Sequence, residues 1–334
     1  MNEITESARI DISRAIDIGR SYIKAVVLRK ANNQVFLDNF CLMPTGKNII
    51  ATLGQIAKEC NFVNKRVNIS VSGKSTMVRN LWLPRMSQKE LKVSLGYELG
   101  QHIPFSSEDV FFDSYIFEES HTARKEGQMR VLLAAANKQF ILEKIQCLKN
   151  GSMTINLIDI DAVSLFNTYL IETSEKGAVG LIDIGSSKTI INIASGNILA
   201  FTREVEYGTM NIREASANGL SIEPSDAEEM ICRNDEKIVG WIGDFAEKLS
   251  KEMWSSFGYY EGQEQQPVDK VYITGGGSLL PGIKEMLEKE VGIPVVLGYP
   301  VDKIKINLDD LKKDTFKKMA PMFSIALGLA YRTL

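Results

Sequence analysis

Ala15-Ile16-Asp17-Ile18-Gly19-Arg20-Ser21 returns as Leu181-Ile182-Asp183-Ile184-Gly185-Ser186-Ser187 in this chain of 334 residues. Each copy is an apolar, β-prone run that ends in Asp and turns on Gly among small or polar residues. Each then enters a second apolar stretch, Ile23 to Leu28 or Thr189 to Ile193. A segment written twice implies a duplicated unit, which restricts the fold more than any single motif. In a two-lobed protein, two such hairpins can face one another across a cleft. Each would offer backbone N–H groups to phosphate oxygens at its turn and one carboxylate to a hydrated Mg2+. A third element, Val271-Tyr272-Ile273-Thr274-Gly275-Gly276-Gly277-Ser278 followed by Leu279-Leu280-Pro281-Gly282-Ile283, reads as a strand, a glycine turn and a helix. Backbone can approach a nucleotide closely at such a turn. An ordinary β-turn explains any one of these elements alone; the three in this order describe a duplicated nucleotide-binding architecture.

Size and composition narrow the class. The length accommodates two lobes. A hydrophobic fraction of 44% and a charged fraction of 24% are those of an ordinary globular protein. A net charge of −3 gives no electrostatic case for nucleic acid or an anionic membrane. Cys41, Cys60, Cys147 and Cys232 are far apart without a Cys-x-x-Cys, which favours reduced thiols over a metal site or a disulfide framework. His102 and His121 are the only histidines, leaving little material for histidine-based catalysis. No apolar run is long enough to span a bilayer, and Met1 to Ser13 lacks the apolar stretch of a signal peptide. The expectation is a cytoplasmic protein.

Periodicity organises the rest. Val35 to Leu42 and Val67 to Ser72 read as strands around an amphipathic helix, Asn48 to Asn61. An inserted module follows: strand (Met77 to Trp82), helix (Ser87 to His102), strand (Val110 to Glu118), polar break (Ser120 to Gln128), strand (Met129 to Ala136), helix (Gln139 to Asn150). Ser87 with Glu90 forms a capping box, and Ile103-Pro104 ends that helix. Ile155 to Ile160 is a strand, Asp161 to Glu172 a connecting helix, and Thr173 to Gly177 a polar hinge. Helices are then expected at Thr209 to Gly219, Ser225 to Arg233, Gly240 to Gly262 and Pro321 to Tyr331, with a short strand at Val295 to Leu297.

With these residues in view, the chain resembles the actin-like ATPase superfamily, and within it the PilM family of type IV pilus assembly. The residues that carry the likeness are Asp17 to Lys24, Leu83-Pro84, Tyr97 to Phe105 with its Ile103-Pro104-Phe105 exit, and Val131 to Ala136. The resemblance implies an α/β, actin-like (ribonuclease H-like) two-lobed fold with an FtsA/PilM-type inserted subdomain in the first lobe. Its layout would be an extension (1–14), a first-lobe core (15–75 and 154–176), the insertion (76–153), a second-lobe core (177–205 and 267–334) and a helical subdomain (206–266). An FtsA-like filament protein is the alternative, disfavoured because the chain stops after a packing helix instead of a membrane-surface one. A small-molecule kinase on the same fold is a further one.

The same resemblance implies ATP with Mg2+. Asp17 would orient the metal shell, and Asp183 the metal or an attacking water. Gly19 and Gly185 would let backbone approach phosphate, and Ser21, Ser186, Ser187 and Thr189 would donate to it, although turn-forming hydroxyls suit those positions equally. Lys24 would neutralise phosphate or else face solvent from its strand; Lys188 is an extra cation. Gly275, Gly276 and Gly277 would lie under adenosine, Ser278 and Leu279 beside it, with Glu228 at the ribose. Where the family commonly has a nucleoside-contacting Lys, this chain has Ile231. Binding with slow or no hydrolysis is therefore expected. The implied partner is the cytoplasmic N-terminal peptide of a PilN-like inner-membrane protein. It would bind beside the insertion, where Trp82, Leu83, Phe105, Phe111, Phe112, Tyr115 and Phe117 cluster. Self-association is also allowed; direct membrane insertion is not.

Overall fold

The computed structural model describes residues 11–117, 127–172, 177–298 and 303–334. The polar break and the polar hinge fall largely outside these residues, as does His121. In chain order the first elements are β1 (Asp11–Ile18), β2 (Tyr22–Ala31), β3 (Gln34–Pro44), α1 (Ile49–Glu59) and β4 (Arg66–Val71). The inserted module follows as β5 (Thr76–Pro84), α2 (Gln88–His102), β6 (Val110–Phe117), β7 (Gln128–Asn137) and α3 (Lys138–Asn150). The chain continues through β8 (Thr154–Ile160), α4 (Asp161–Glu172), β9 (Ala178–Ile184), β10 (Thr189–Ser195) and β11 (Ile198–Val205). Next come α5 (Thr209–Leu220), α6 (Pro224–Cys232), α7 (Val239–Glu264), β12 (Val268–Thr274) and α8 (Ile283–Val291). The chain closes with β13 (Val295–Leu297), β14 (Ile304–Ile306), α9 (Asp310–Met319) and α10 (Ser324–Tyr331).

The duplication is visible in the sheets. One has the order β14-β3-β2-β1-β4-β8 and another β11-β10-β9-β12-β13. In each, a three-stranded antiparallel meander is extended by two parallel strands on its first strand. The copies match residue for residue. Asp17 lies opposite Lys24 where Asp183 lies opposite Ile190, and Ile18 opposite Ile23 where Ile184 is opposite Thr189. This is the actin-like two-lobed α/β arrangement. The third sheet, β5-β7-β6, belongs to the insertion, and Leu91, Leu95 and Leu99 bury one stripe of α2 against it. Ser87 caps α2 with both bonds of the capping box, as its sequence requires.

Three features depart from the sequence reading. Strand β1 begins at Asp11, pairing with Lys30, inside the stretch expected to precede the fold. The C-terminal stretch, expected in the second-lobe core, returns to the first lobe. There β14 adds to β3 in parallel, and Phe316, Phe323, Leu327 and Leu329 share a core with Val26, Leu28 and Leu37. The cause is α10, whose residues Ser324 to Ala330 are all buried and so need cover on every side. Gly328 lets this helix cross α4 with its backbone against the Ser164 carbonyl, where a Cβ would collide. A short 3₁₀ turn, Ala320–Phe323, precedes α10 where the reading placed helix throughout.

Candidate functional site

The hairpin turns take their shape from glycine. Gly19 N–H donates to the Tyr22 carbonyl at 3.1 Å and Gly185 N–H to the Lys188 carbonyl at 2.9 Å. A Cβ at either glycine would lie 2.7 Å from that same carbonyl oxygen, so only glycine fits. The glycines close the hairpins and, with the side chains beside them, line the cleft. Arg20, Ser21 and Tyr22 from the first turn and Ser186, Ser187 and Lys188 from the second line one cavity of about 360 Å3. Asp17, Lys24, Asp161, Asp183, Glu228, Ile231, Cys232, Gly276, Gly277, Leu279 and Met322 complete most of its wall. Ser21 Oγ donates to Ser186 Oγ at 2.7 Å, joining the two turns across the cleft.

The floor is a chain of buried charges. Lys24 Nζ bonds Asp17 Oδ2 at 2.9 Å, both nearly buried, so Lys24 does not face solvent. Burial raises the Asp17 pKa while Lys24 opposes it. Burial works against the Lys24 ammonium, but Asp17, with Asp183 and Asp161 behind it, outweighs this and raises its pKa. Thr274 Oγ1 donates to Asp183 Oδ1 at 3.0 Å. Burial, aided by Asp17 and Asp161, still pushes Asp183 up to about 6 against Lys24 and Thr274. Lys188 Nζ lies 3.3 Å from both Asp161 Oδ2 and Glu204 Oε2, and Glu204 accepts from Gly73 N–H at 2.9 Å. Burial penalises the Asp161 carboxylate, yet Lys188 and the Ser72 hydroxyl, which donates to it, hold its pKa below the usual range.

Three expected site residues turn away from the cleft. Thr189 is fully buried and donates to the Tyr207 carbonyl at 2.7 Å, because pairing with Ile184 puts it on the core face of its strand. Gly275 packs on the Ile184 backbone with φ +80° and takes its place in the turn, not at the cavity wall. Ser278 is buried and donates to the Gly275 carbonyl at 2.7 Å. Gly277 reaches the cavity, but its requirement for glycine is packing, since a Cβ would strike Ile184. Gly276 is different. It is exposed to the cleft, and a Cβ there meets only Met322 Cε at 3.7 Å. Glu228 sits at the rim with Arg213 3.7 Å away. Ile231 lines the cavity beside Cys232, with Glu228 and Asn234 of the same stretch.

Asp161 is the residue that the sequence reading missed. Strand β8 delivers it to the cleft floor just as β1 delivers Asp17 and β9 delivers Asp183: an apolar strand ending in Asp was the available signal. The residues present suit a magnesium nucleotide. Four carboxylates face three cations in the lining, so a bare triphosphate would be repelled more strongly than its Mg2+ complex. Hydroxyls cluster at the hairpin end, and apolar side chains at the glycine-turn end. Among the described residues, no three His, Cys, Asp or Glu side chains are grouped to cage a metal alone, which suits an ion held partly by water and phosphate.

A second cavity, of about 570 Å3, lies back to back with the cleft. Phe111, Phe112, Asp113, Tyr115 and Phe117 of β6 form one wall with Leu132, Ala134 and Ala136 of β7; Val163, Phe166, Asn167 and Leu170 of α4 form the other. Phe111 and Tyr115 are 49% and 61% exposed at its rim, large apolar groups left uncovered. Trp82, Leu83 and Phe105 are elsewhere: Trp82 lies under the Arg130 guanidinium, and the other two pack on the α2 side of the inserted sheet.

A family model described as type IV pilus assembly protein PilM matches residues 15–334. Among solved structures, the chain is similar to one of a PilM-PilN type IV pilus biogenesis complex, at 23% identity and a TM-score of 0.83, covering 96% of this chain and 98% of that one. It is similar to the ethanolamine utilization protein EutJ of Carboxydothermus hydrogenoformans at 13% identity and a TM-score of 0.52, with 96% and 89% covered. It is also similar to MreB 5 of Spiroplasma citri bound to AMPPNP, at 9% identity and a TM-score of 0.50, with 95% and 94% covered. These likenesses share the actin-like fold described above. No described helix is long and apolar enough to cross a membrane.

Proposed function

The chain belongs to the type IV pilus assembly protein PilM family, and on that premise we propose that it is an ATP-binding assembly protein that docks a membrane protein's tail. One observation carries the nucleotide half of this reading. Two duplicated hairpins, one from each lobe, and a glycine turn converge on a single cavity with paired carboxylates and hydroxyls at one end and apolar side chains at the other. Ser21, Ser186 and Ser187 would donate to phosphate oxygens, replacing the Ser21–Ser186 bond. Lys24 and Lys188 would balance phosphate charge. Mg2+ would be held through water by Asp17 and Asp183, lowering the charge of the triphosphate. Adenine would lie across Gly276 towards Ile231, and Glu228 would accept a ribose hydroxyl.

Hydrolysis would be slow or absent. Rapid phosphoryl transfer needs a group that orients water and a cation free to meet the developing charge. Asp183 is the candidate for the first role. For the second, Lys24 and Lys188 are both already bound to carboxylates, which leaves the exposed Arg20 of the first turn as the candidate.

The partner half rests on the groove beside the inserted sheet and on the complex in the solved structure named above. An apolar, extended peptide suits a trough walled by Phe111, Tyr115, Phe166 and Leu170, with aromatic anchors at its rim. Through the cytoplasmic N-terminal segment of a PilN-like protein, the chain would be held in the cytoplasm at the inner membrane. Calorimetric titration of a synthetic peptide with that segment's sequence tests this. Binding lost on Phe166→Ala but kept on Trp82→Ala is the expected outcome; binding unchanged by Phe166→Ala overturns the placement.

A further inference from the structure

We propose that Thr45 is a positioning residue for the nucleotide phosphates: from behind the first hairpin turn it sets the peptides that present Arg20, Ser21 and Tyr22 to the cleft. This deepens the nucleotide reading given above and rests on it.

Strand β3 ends at Pro44, opposite Tyr22. The chain runs on beside the turn, and Thr45 bonds it twice. Its N–H donates to the Ser21 carbonyl at 2.9 Å, and its Oγ1 donates to the Gly19 carbonyl at 2.8 Å. These bonds fix the peptide planes that enter and leave the Arg20-Ser21 pair. A trans peptide points its N–H opposite to its C=O. Both bonds therefore also aim the N–H groups of Arg20 and Tyr22 away from Thr45, and both residues line the cleft. Thr45 is itself braced, because the buried Thr52 of α1 donates through Oγ1 to its carbonyl at 3.1 Å. Without the hydroxyl, the Gly19–Arg20 peptide is free to turn its carbonyl oxygen round, and glycine offers little resistance to that rotation. The turn would then present an acceptor where a phosphate needs a donor.

The second turn is held by other means. The Gly185 carbonyl accepts from Thr209 N–H at 3.0 Å and the Ser186 carbonyl from Met210 N–H at 2.8 Å. Both donors are main-chain groups in the first turn of α5, where N–H groups have no partner within the helix. Each hairpin thus has two turn carbonyls held from outside. Of the four donors, the Thr45 hydroxyl alone belongs to a side chain. The duplicated unit therefore rests on a helix start in one lobe and partly on a single hydroxyl in the other. That hydroxyl is where a substitution outside the cleft can loosen a phosphate turn.

The test is calorimetric titration of the full chain with Mg2+-AMPPNP, joined to phosphorus NMR of the bound nucleotide. Thr45→Val keeps the shape and removes the donor. It should weaken binding about tenfold, the scale of one hydrogen bond left unmade, and displace the bound phosphate resonances. Thr45→Ala removes the same donor from a smaller side chain and should match it in both readouts. Thr45→Ser keeps the hydroxyl and should bind within about twofold of wild type, with wild-type resonances. Unliganded thermal midpoints of all three should stay within about three degrees of wild type, since at most one half-buried hydroxyl is lost. Lowered midpoints with the phosphate resonances in place would make Thr45 merely structural and overturn the positioning role. Wild-type affinity in both Thr45→Val and Thr45→Ala overturns it too, as does an equal loss in Thr45→Ser, and each of these leaves the functional reading intact. Failure of wild type to bind Mg2+-AMPPNP overturns the functional reading and this inference with it.

Discussion

Replacing Asp183 with Asn should stabilise the protein while weakening its nucleotide site. The Asp183 carboxyl is raised from 3.8 to about 6, with burial the largest cause. Between these values the folded protein holds a proton there that the unfolded chain has released. Unfolding free energy therefore falls as pH rises through this window, and the cost is fully present above it. At 1.36 kcal/mol per pKa unit, the ionised carboxylate costs about 3 kcal/mol near pH 7.5 and about 1.6 kcal/mol near pH 5. Asn keeps the shape and can still accept from Thr274, so the variant removes the charge and little else. Chemical denaturation of both proteins should show the variant more stable by about 3 kcal/mol at the higher pH, with the advantage halved at the lower one. Mg2+-ATP affinity should fall in the same variant, the trade expected when a site holds a group its fold would not choose. A variant no more stable than wild type near pH 7.5, or a gain that does not change with pH, would refute the reasoning.

Further outcomes follow from the same geometry. Gly185→Ala drives a Cβ to 2.7 Å from the Lys188 carbonyl and should cost about 1–3 kcal/mol in denaturant titration, with Gly19→Ala costing a similar amount against Tyr22. Tyr115→Ala at the groove rim should weaken the partner peptide about tenfold by calorimetry yet change stability by less than about 0.5 kcal/mol, since the ring is mostly exposed. Glu264→Ala leaves the buried Arg130 without its carboxylate and should cost about 3–5 kcal/mol in the same denaturant assay.

What the sequence could convey depended on how local the cause was. The hairpins, the capping box at Ser87 and the order of the inserted elements follow from alternation, turn chemistry and caps within a few residues. Thr189 was legible too, had the two copies been aligned residue by residue. It occupies the position of Ile23, on the core side, while Ile190 matches Lys24 on the cleft side. That match also explains why only the first hairpin has an ammonium on its strand beside the carboxylate. Asp161 had a local signal in the apolar strand before it, but its pairing with Lys188 was not legible, because elements from both lobes bring Ser72 and Lys188 to it, and Glu204 to Lys188. The return of β14 and α10 to the first lobe is a long-range pairing with no local signature beyond the all-apolar face of α10.

The central claim is that the cleft holds a magnesium nucleotide, and Gly276 offers the most direct test. An arginine there meets only Met322 at its Cβ, so the fold can accept the side chain while the cleft is filled. Thermal midpoints of wild type and Gly276→Arg should agree without ligand. With Mg2+-ATP at about 100 times its dissociation constant, wild type should gain about 2.7 kcal/mol, a rise of a few degrees, and the variant nothing. An equal rise in both proteins would put the nucleotide elsewhere, and no rise in wild type would contradict the account.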